Sequence, residues 1–91
     1  MKIDERALTN QNAATWLARG RAAIAGGDVH IDLSAVQAVD SAAVALLLDW
    51  QRAAQARGAA LDLAGVPAGI ESLARLYGVS ALLGLPEPAR P

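Results

Sequence analysis

Between Ile31 and Leu48 the apolar residues of this chain change their spacing, and that change constrains the fold more than any other feature. The stretch reads Ile31-Asp-Leu-Ser-Ala-Val-Gln-Ala-Val-Asp-Ser-Ala-Ala-Val-Ala-Leu-Leu-Leu48. Val29-His-Ile-Asp-Leu33 alternates as a strand does. Residues 34–39 read as a loop. From Ser41 to about Arg57 the spacing is helical, with Gly58 at the C-terminal end. The product is a strand–loop–helix unit whose helix opens at Asp40-Ser41.

The same grammar recurs on both sides. Residues 2–8 suit a short strand. Thr9 or Asn10 can cap a helix to about Ala25, with Ala13, Trp16, Leu17, Gly20 and Ile24 at helical spacing. Gly26-Gly27 stops it. Residues 60–64 alternate again as a strand. Gly65-Val-Pro67 turns the chain, and Pro67 suits a first helical turn. Ile70, Leu73, Ala74 and Tyr77 then lie on one face of a third helix that Gly78 ends. Residues 79–85 form a last short apolar element of about one helical turn, and residues 86–91 a frayed tail. Alternating strands and helices imply a mainly parallel α/β sheet. With three helices the expected form is two layers, which leaves one sheet face comparatively bare.

Ninety-one residues suit a single domain, and an apolar fraction of 54% can supply its core. Much of that fraction is alanine, so close helix packing matters. There is no Phe, which leaves Trp16, Trp50 and Tyr77 as the large aromatic anchors. A formal net charge of −1 offers no basic patch for nucleic acid. The chain has no Cys, which excludes a disulfide scaffold and a thiolate metal site. Met1-Lys-Ile-Asp-Glu-Arg6 is charged too early for a signal peptide. The longest strongly apolar uncharged stretch, residues 41–48, falls short of the about 20 residues a spanning helix needs. A soluble chain is expected, with any membrane link running through a partner.

Catalytic chemistry finds little support. His30 stands alone in mid-strand, without the companions that a metal or nucleophile site requires. No phosphate-binding glycine motif is present, since Gly26-Gly27 leads into a strand. Acidic residues are scattered. No enzyme activity, cofactor or metal is expected.

Asp40-Ser41 has two readings. In one, Asp40 caps the second helix and Ser41 is an incidental first-turn residue. In the other, Ser41 presents its hydroxyl to a partner or a phosphate at the positive helix end. The second helix is equally open. Val44, Leu47 and Leu48 can face the sheet. Ala43, Leu46, Trp50 and Ala54 extend the apolar arc beyond one sheet contact. Either another helix covers that extension, or Leu46 and Trp50 join Ser41 in an interaction surface.

These residues resemble a STAS domain, the fold of the anti-sigma factor antagonists. The resemblance rests on Ile31-Asp-Leu-Ser34, Val39-Asp-Ser41, the apolar helix, and Gly58 before Leu61-Asp-Leu63, and it spans residues 8–85. Gly65-Val and Leu73-Ala-Arg-Leu-Tyr-Gly78 are most similar to the MlaB-like branch. Those stand-alone subunits serve the ABC phospholipid transporter that maintains outer-membrane lipid asymmetry. The resemblance implies a STAS fold over residues 1–91: a small, mixed, mainly parallel sheet with helices packed on one face. Two features depart from the family. Asp40-Ser41 is followed by Ala42-Ala43, where antagonists carry Ser/Thr-Gly. Only about one strand fits before Thr9, where the family places two, so the first edge is expected to be shortened or completed by another copy.

The function implied is a non-enzymatic regulatory and scaffolding subunit. Its expected partner is the transporter's cytoplasmic, MlaF-like ATPase, with membrane contact only through that complex and a homodimer as a further possibility. The expected partner-binding residues are Asp40, Ser41, Ala42, Leu46, Trp50 and Tyr77. The alternative is an anti-sigma factor antagonist with Ser41 as phosphoacceptor. A third reading is a small-ligand carrier that uses the bare sheet face.

Overall fold

The computed structural model describes residues 1–85. The tail expected to fray, residues 86–91, lies outside the described residues. The first residues run beside Asp32. The Ile3 N–H donates to the Asp32 carbonyl at 3.0 Å, and the Asp32 N–H to the Met1 carbonyl at 2.8 Å. They form a parallel bridge between Lys2 and Asp32. Strand β1 (Ala7–Leu8) then pairs with β3 (Ala38–Val39), while β2 (His30–Asp32) pairs with β4 (Asp62–Ala64). Every pairing among the described residues is parallel, as the alternation of elements predicts.

Strand β3 corrects the sequence reading, which placed residues 34–39 wholly in a loop. Two residues carry no periodicity of their own. They become a strand because the Arg6 carbonyl receives the N–H groups of Gln37 and Ala38 at 2.7 and 2.9 Å, which sets Ala7 opposite Ala38 and Leu8 opposite Val39. The expected strand over residues 2–8 is accordingly reduced to a bridge to Asp32 and a two-residue pair with β3.

Helix α1 spans Ala13–Ala25 and starts later than its capping residues suggest. The Thr9 hydroxyl accepts the Gln11 N–H, and the Asn12 side-chain oxygen accepts the Thr9 N–H. These local bonds hold residues 9–12 as a separate turn. Asn12 also donates to the Ala7 carbonyl and to Glu5, whose carboxylate receives the Trp16 indole N–H. Helix α2 (Ser41–Ala56) begins where its Asp40 cap predicts, whereas helix α3 (Ala68–Leu76) begins just after Pro67, which stands in extended backbone at the N-cap instead of in the first turn.

The sheet has two unlike faces. Ile31 sits opposite Leu63 in the β2–β4 register, and both point inward with Leu33 and Leu61. His30 sits opposite Asp62 on the other face, and its Nδ1 lies 2.7 Å from the Asp62 carboxylate. The face expected to be bare is thus dressed with polar side chains.

The core is centred on the contact between α1 and α2. Trp50 is fully buried, and its indole N–H donates to the Leu17 carbonyl at 3.2 Å. Gly20 makes this possible. A β-carbon at that position would stand 2.0 Å from the Trp50 ring, so no larger residue fits while Trp50 keeps its place. An Arg21–Asp49 ion pair closes the solvent side of the same interface, with two bonds of 2.8 and 2.6 Å. On the other flank of the sheet, Gly65 (φ +63°) turns the chain out of β4, where a β-carbon would meet the Ser34 backbone at 2.8 Å.

Candidate functional site

The start of α2 is held by a single carboxylate. One Asp40 oxygen accepts the Ala42 N–H at 2.9 Å and the other accepts the Asn10 N–H at 3.0 Å. Asp40 therefore caps α2 and ties it to the turn that precedes α1. The Ala43 N–H bonds to the Asp40 carbonyl at 3.0 Å. Two of the orphan donors at this helix end are thus already engaged.

Ser41 is the first residue of α2 and is exposed. The cap and the presented hydroxyl are therefore not exclusive readings: Asp40 does the first and leaves Ser41 free for the second. Ala42, next in sequence, is half-buried.

Leu46 and Trp50 do not belong to this surface, which corrects the expectation that placed them there. Leu46 is 4% exposed and Trp50 is 0%. Helix α1 covers Trp50 through Gly20, which settles how the wide apolar arc is used. Tyr77 is half exposed but stands apart from Ser41. It follows the last turn of α3, whereas the first turn of α3 approaches the site: a β-carbon on Gly69 would meet Val39 at 2.8 Å. Eight residues separate Gly69 from Tyr77, or about 12 Å of helix.

The side chains that accompany Ser41 on the open face of α2 are Ala45, Leu48 and Arg52. They recur at helical intervals of four, three and four from Ser41, so they form one stripe. Ala45 and Arg52 are exposed, and Leu48 is half-buried. Leu48, assigned to the sheet side by its spacing, packs partly against the core and also borders a shallow groove with Gln51, Arg52, Gln55 and Leu82. Leu82 comes from the turn after α3 and is 59% exposed. Sequence reasoning missed Ala45, Leu48, Arg52 and Leu82. Counting the helical period outward from Ser41 finds the first three; Leu82 arrives only through the tertiary fold.

The electrostatics of the neighbourhood follow its hydrogen bonds. The Asp49 carboxyl is held below the usual carboxylate range chiefly by the hydrogen bond from Arg21 and by that residue's charge. Asp32, at the end of β2, is lowered mainly by hydrogen bonds from Ser34. Among the described residues no group of three or more His, Cys, Asp or Glu is placed to hold a metal ion. No helix among them is long and apolar enough to cross a membrane.

A short parallel sheet, three helices and a carboxylate-capped Asp-Ser helix start define a STAS-type α/β domain. The model of the family described as "Mlab, STAS domain" matches residues 6–84, and the chain belongs to that family. No curated protein matches the chain significantly. STAS domain proteins are generally non-enzymatic.

Proposed function

We propose that this protein is a regulatory and scaffolding subunit that binds the cytoplasmic ATPase of an ABC phospholipid transporter, in the manner of MlaB-like STAS subunits. On this reading it works in the cytoplasm and meets the inner membrane only through that complex. The observation that carries the reading is the exposure of Ser41 at the tip of α2. Asp40 spends its carboxylate on the helix start and the neighbouring turn, so the backbone there is already ordered. A partner meets a pre-formed edge and loses little entropy in docking on it. The small Ser41 and Ala45 side chains allow close approach, and Asp40 and Ala42 shape the rim.

The test is co-purification with an MlaF-like transporter ATPase. Wild-type protein is expected to be retained, and Ser41→Trp to be lost while its circular dichroism stays native. Retention of Ser41→Trp at the wild-type level would show that the docking site lies elsewhere.

The exposed hydroxyl also favours a second reading, an anti-sigma factor antagonist switched at Ser41. Here the geometry supports it less. A phosphate on Ser41 would stand beside the Asp40 carboxylate, and the Ala42 and Ala43 N–H groups it needs are already bonded. Incubation with a neighbouring anti-sigma kinase and ATP tests it by intact mass. Addition of one phosphate at Ser41 would favour this reading over the transporter one.

A further inference from the structure

The groove at the far end of the α2 stripe gives the proposed docking surface a second anchor point. Its floor is apolar, from Leu48 and the outward-facing Leu82. Its rim is polar, from Gln51, Gln55 and Arg52. Gln51 is partly committed, since its side-chain oxygen accepts the Leu61 N–H at 3.1 Å. Arg52 is not. The carboxylate one turn away, Asp49, is engaged by Arg21 at 2.6 Å; the Arg52 charge also acts on it, but Arg52 makes no direct ion pair among the described residues. An exposed guanidinium beside an apolar floor fits a branched apolar side chain with a carboxylate next to it.

We propose that this groove receives an acidic-apolar segment of the same ATPase that docks at Ser41, a leucine-sized side chain entering between Leu48 and Leu82 and a carboxylate pairing with Arg52. The proposal rests on the transporter reading and deepens it. Ser41 and Arg52 are eleven residues apart on one stripe, about 16 Å along the helix. One partner element lying along α2 therefore reaches both. A second copy of this chain is the poorer occupant, because a two-fold contact centred on the groove brings Arg52 against its own image.

The experiment measures affinity of the whole chain for the same purified MlaF-like ATPase at two salt concentrations. Leu82→Glu and Arg52→Glu are compared with Ser41→Trp and with Ala18→Glu, an exposed position on α1. The expected result is a loss of about tenfold or more for each groove variant, as for a truncated hot spot, with Ala18→Glu unchanged. Arg52→Ala should also flatten the fall of affinity with salt that an exposed charge pair produces. Thermal melts of the free variants separate binding loss from unfolding. If Ser41→Trp abolishes binding while Leu82→Glu and Arg52→Glu bind as wild type, the groove proposal is overturned and the docking reading stands. If wild-type protein does not bind the ATPase, both fall. Wild-type protein that forms a dimer disrupted by Leu82→Glu would assign the groove to a second copy and overturn the proposal.

Discussion

Helix α2 presents two sides that share alanine and leucine and are opposite in use. One side carries Ala43, Leu46, Leu47, Trp50 and Ala54, all buried. The other carries Ser41, Ala45, Leu48 and Arg52, open or half-open to solvent. Each contains alanine and leucine, but the buried side is wholly apolar whereas the open side adds Ser41 and Arg52. The neighbour separates them further. Helix α1 brings a glycine to Trp50 and closes one side, while among the described residues no element of comparable length lies over Ser41 and Leu48. A side that is sealed contributes stability, and a side that is left open is free to bind.

Substitutions on the two sides should therefore break different properties. The largest effect is expected for Trp50→Ala, which empties the centre of the α1–α2 contact; urea unfolding should show a loss of about 3–5 kcal/mol. Gly20→Ala comes next. The added methyl enters the Trp50 ring, and overpacking of this kind costs about 1–3 kcal/mol. Alanine's better helix propensity offsets under about 1 kcal/mol of that. Combining Gly20→Ala with Trp50→Leu should recover part of the loss, because the smaller side chain vacates the space. Equal destabilisation in the single and double variants would mean that the glycine matters for some reason other than Trp50.

Asp40→Ala sits where the two sides meet. Loss of the cap should cost about 1 kcal/mol, typical of an N-cap change, and partner binding should weaken because the helix start and the adjacent turn lose their shared tie. Leu48→Ala should move in the reverse proportion, with partner binding reduced strongly and stability lowered less than by Leu46→Ala, since Leu48 is only partly packed against the core. If it destabilises the fold as much as Leu46→Ala, the open side is not open.

The smallest effect concerns Asp49. Its carboxyl titrates lower in the folded protein than in the unfolded chain because of Arg21. Its contribution is complete above the unfolded value of about 3.9 and is lost as pH falls through the depressed folded value. Asp49→Asn should therefore lower thermal stability slightly at neutral pH, and the difference from wild type should shrink in strong acid. A difference that grows as pH falls would reverse the sign assigned to this pair.

What the sequence made legible was whatever depends on neighbours along the chain. The Asp40 cap, the glycine stops and the inward spacing of Trp16, Gly20 and Ile24 on α1 can all be read locally. What it concealed depends on partners far away in the chain. Strand β3 exists only because Ala7 and Leu8 come alongside, thirty-one residues earlier. Trp50 looked available for a partner because a wide apolar arc does not say which element covers it. A sharper clue was present in Gly20. A glycine inside a helix costs about 0.5–1 kcal/mol relative to alanine, so an interior glycine on the buried face points to something large pressed against it. Leu82 had no local clue, since a single leucine in a short turn is equally at home inside or outside.

The doubly bonded Asp40 has a consequence for motion. Its two oxygens hold the amides of Asn10 and Ala42, which are thirty-two residues apart and lie at places where backbone usually opens freely. Because one side chain guards both, their hydrogen exchange is expected to be slowed together and released together. A partner seated on Ser41 would then be felt at Asn10, in front of the first helix, without touching it.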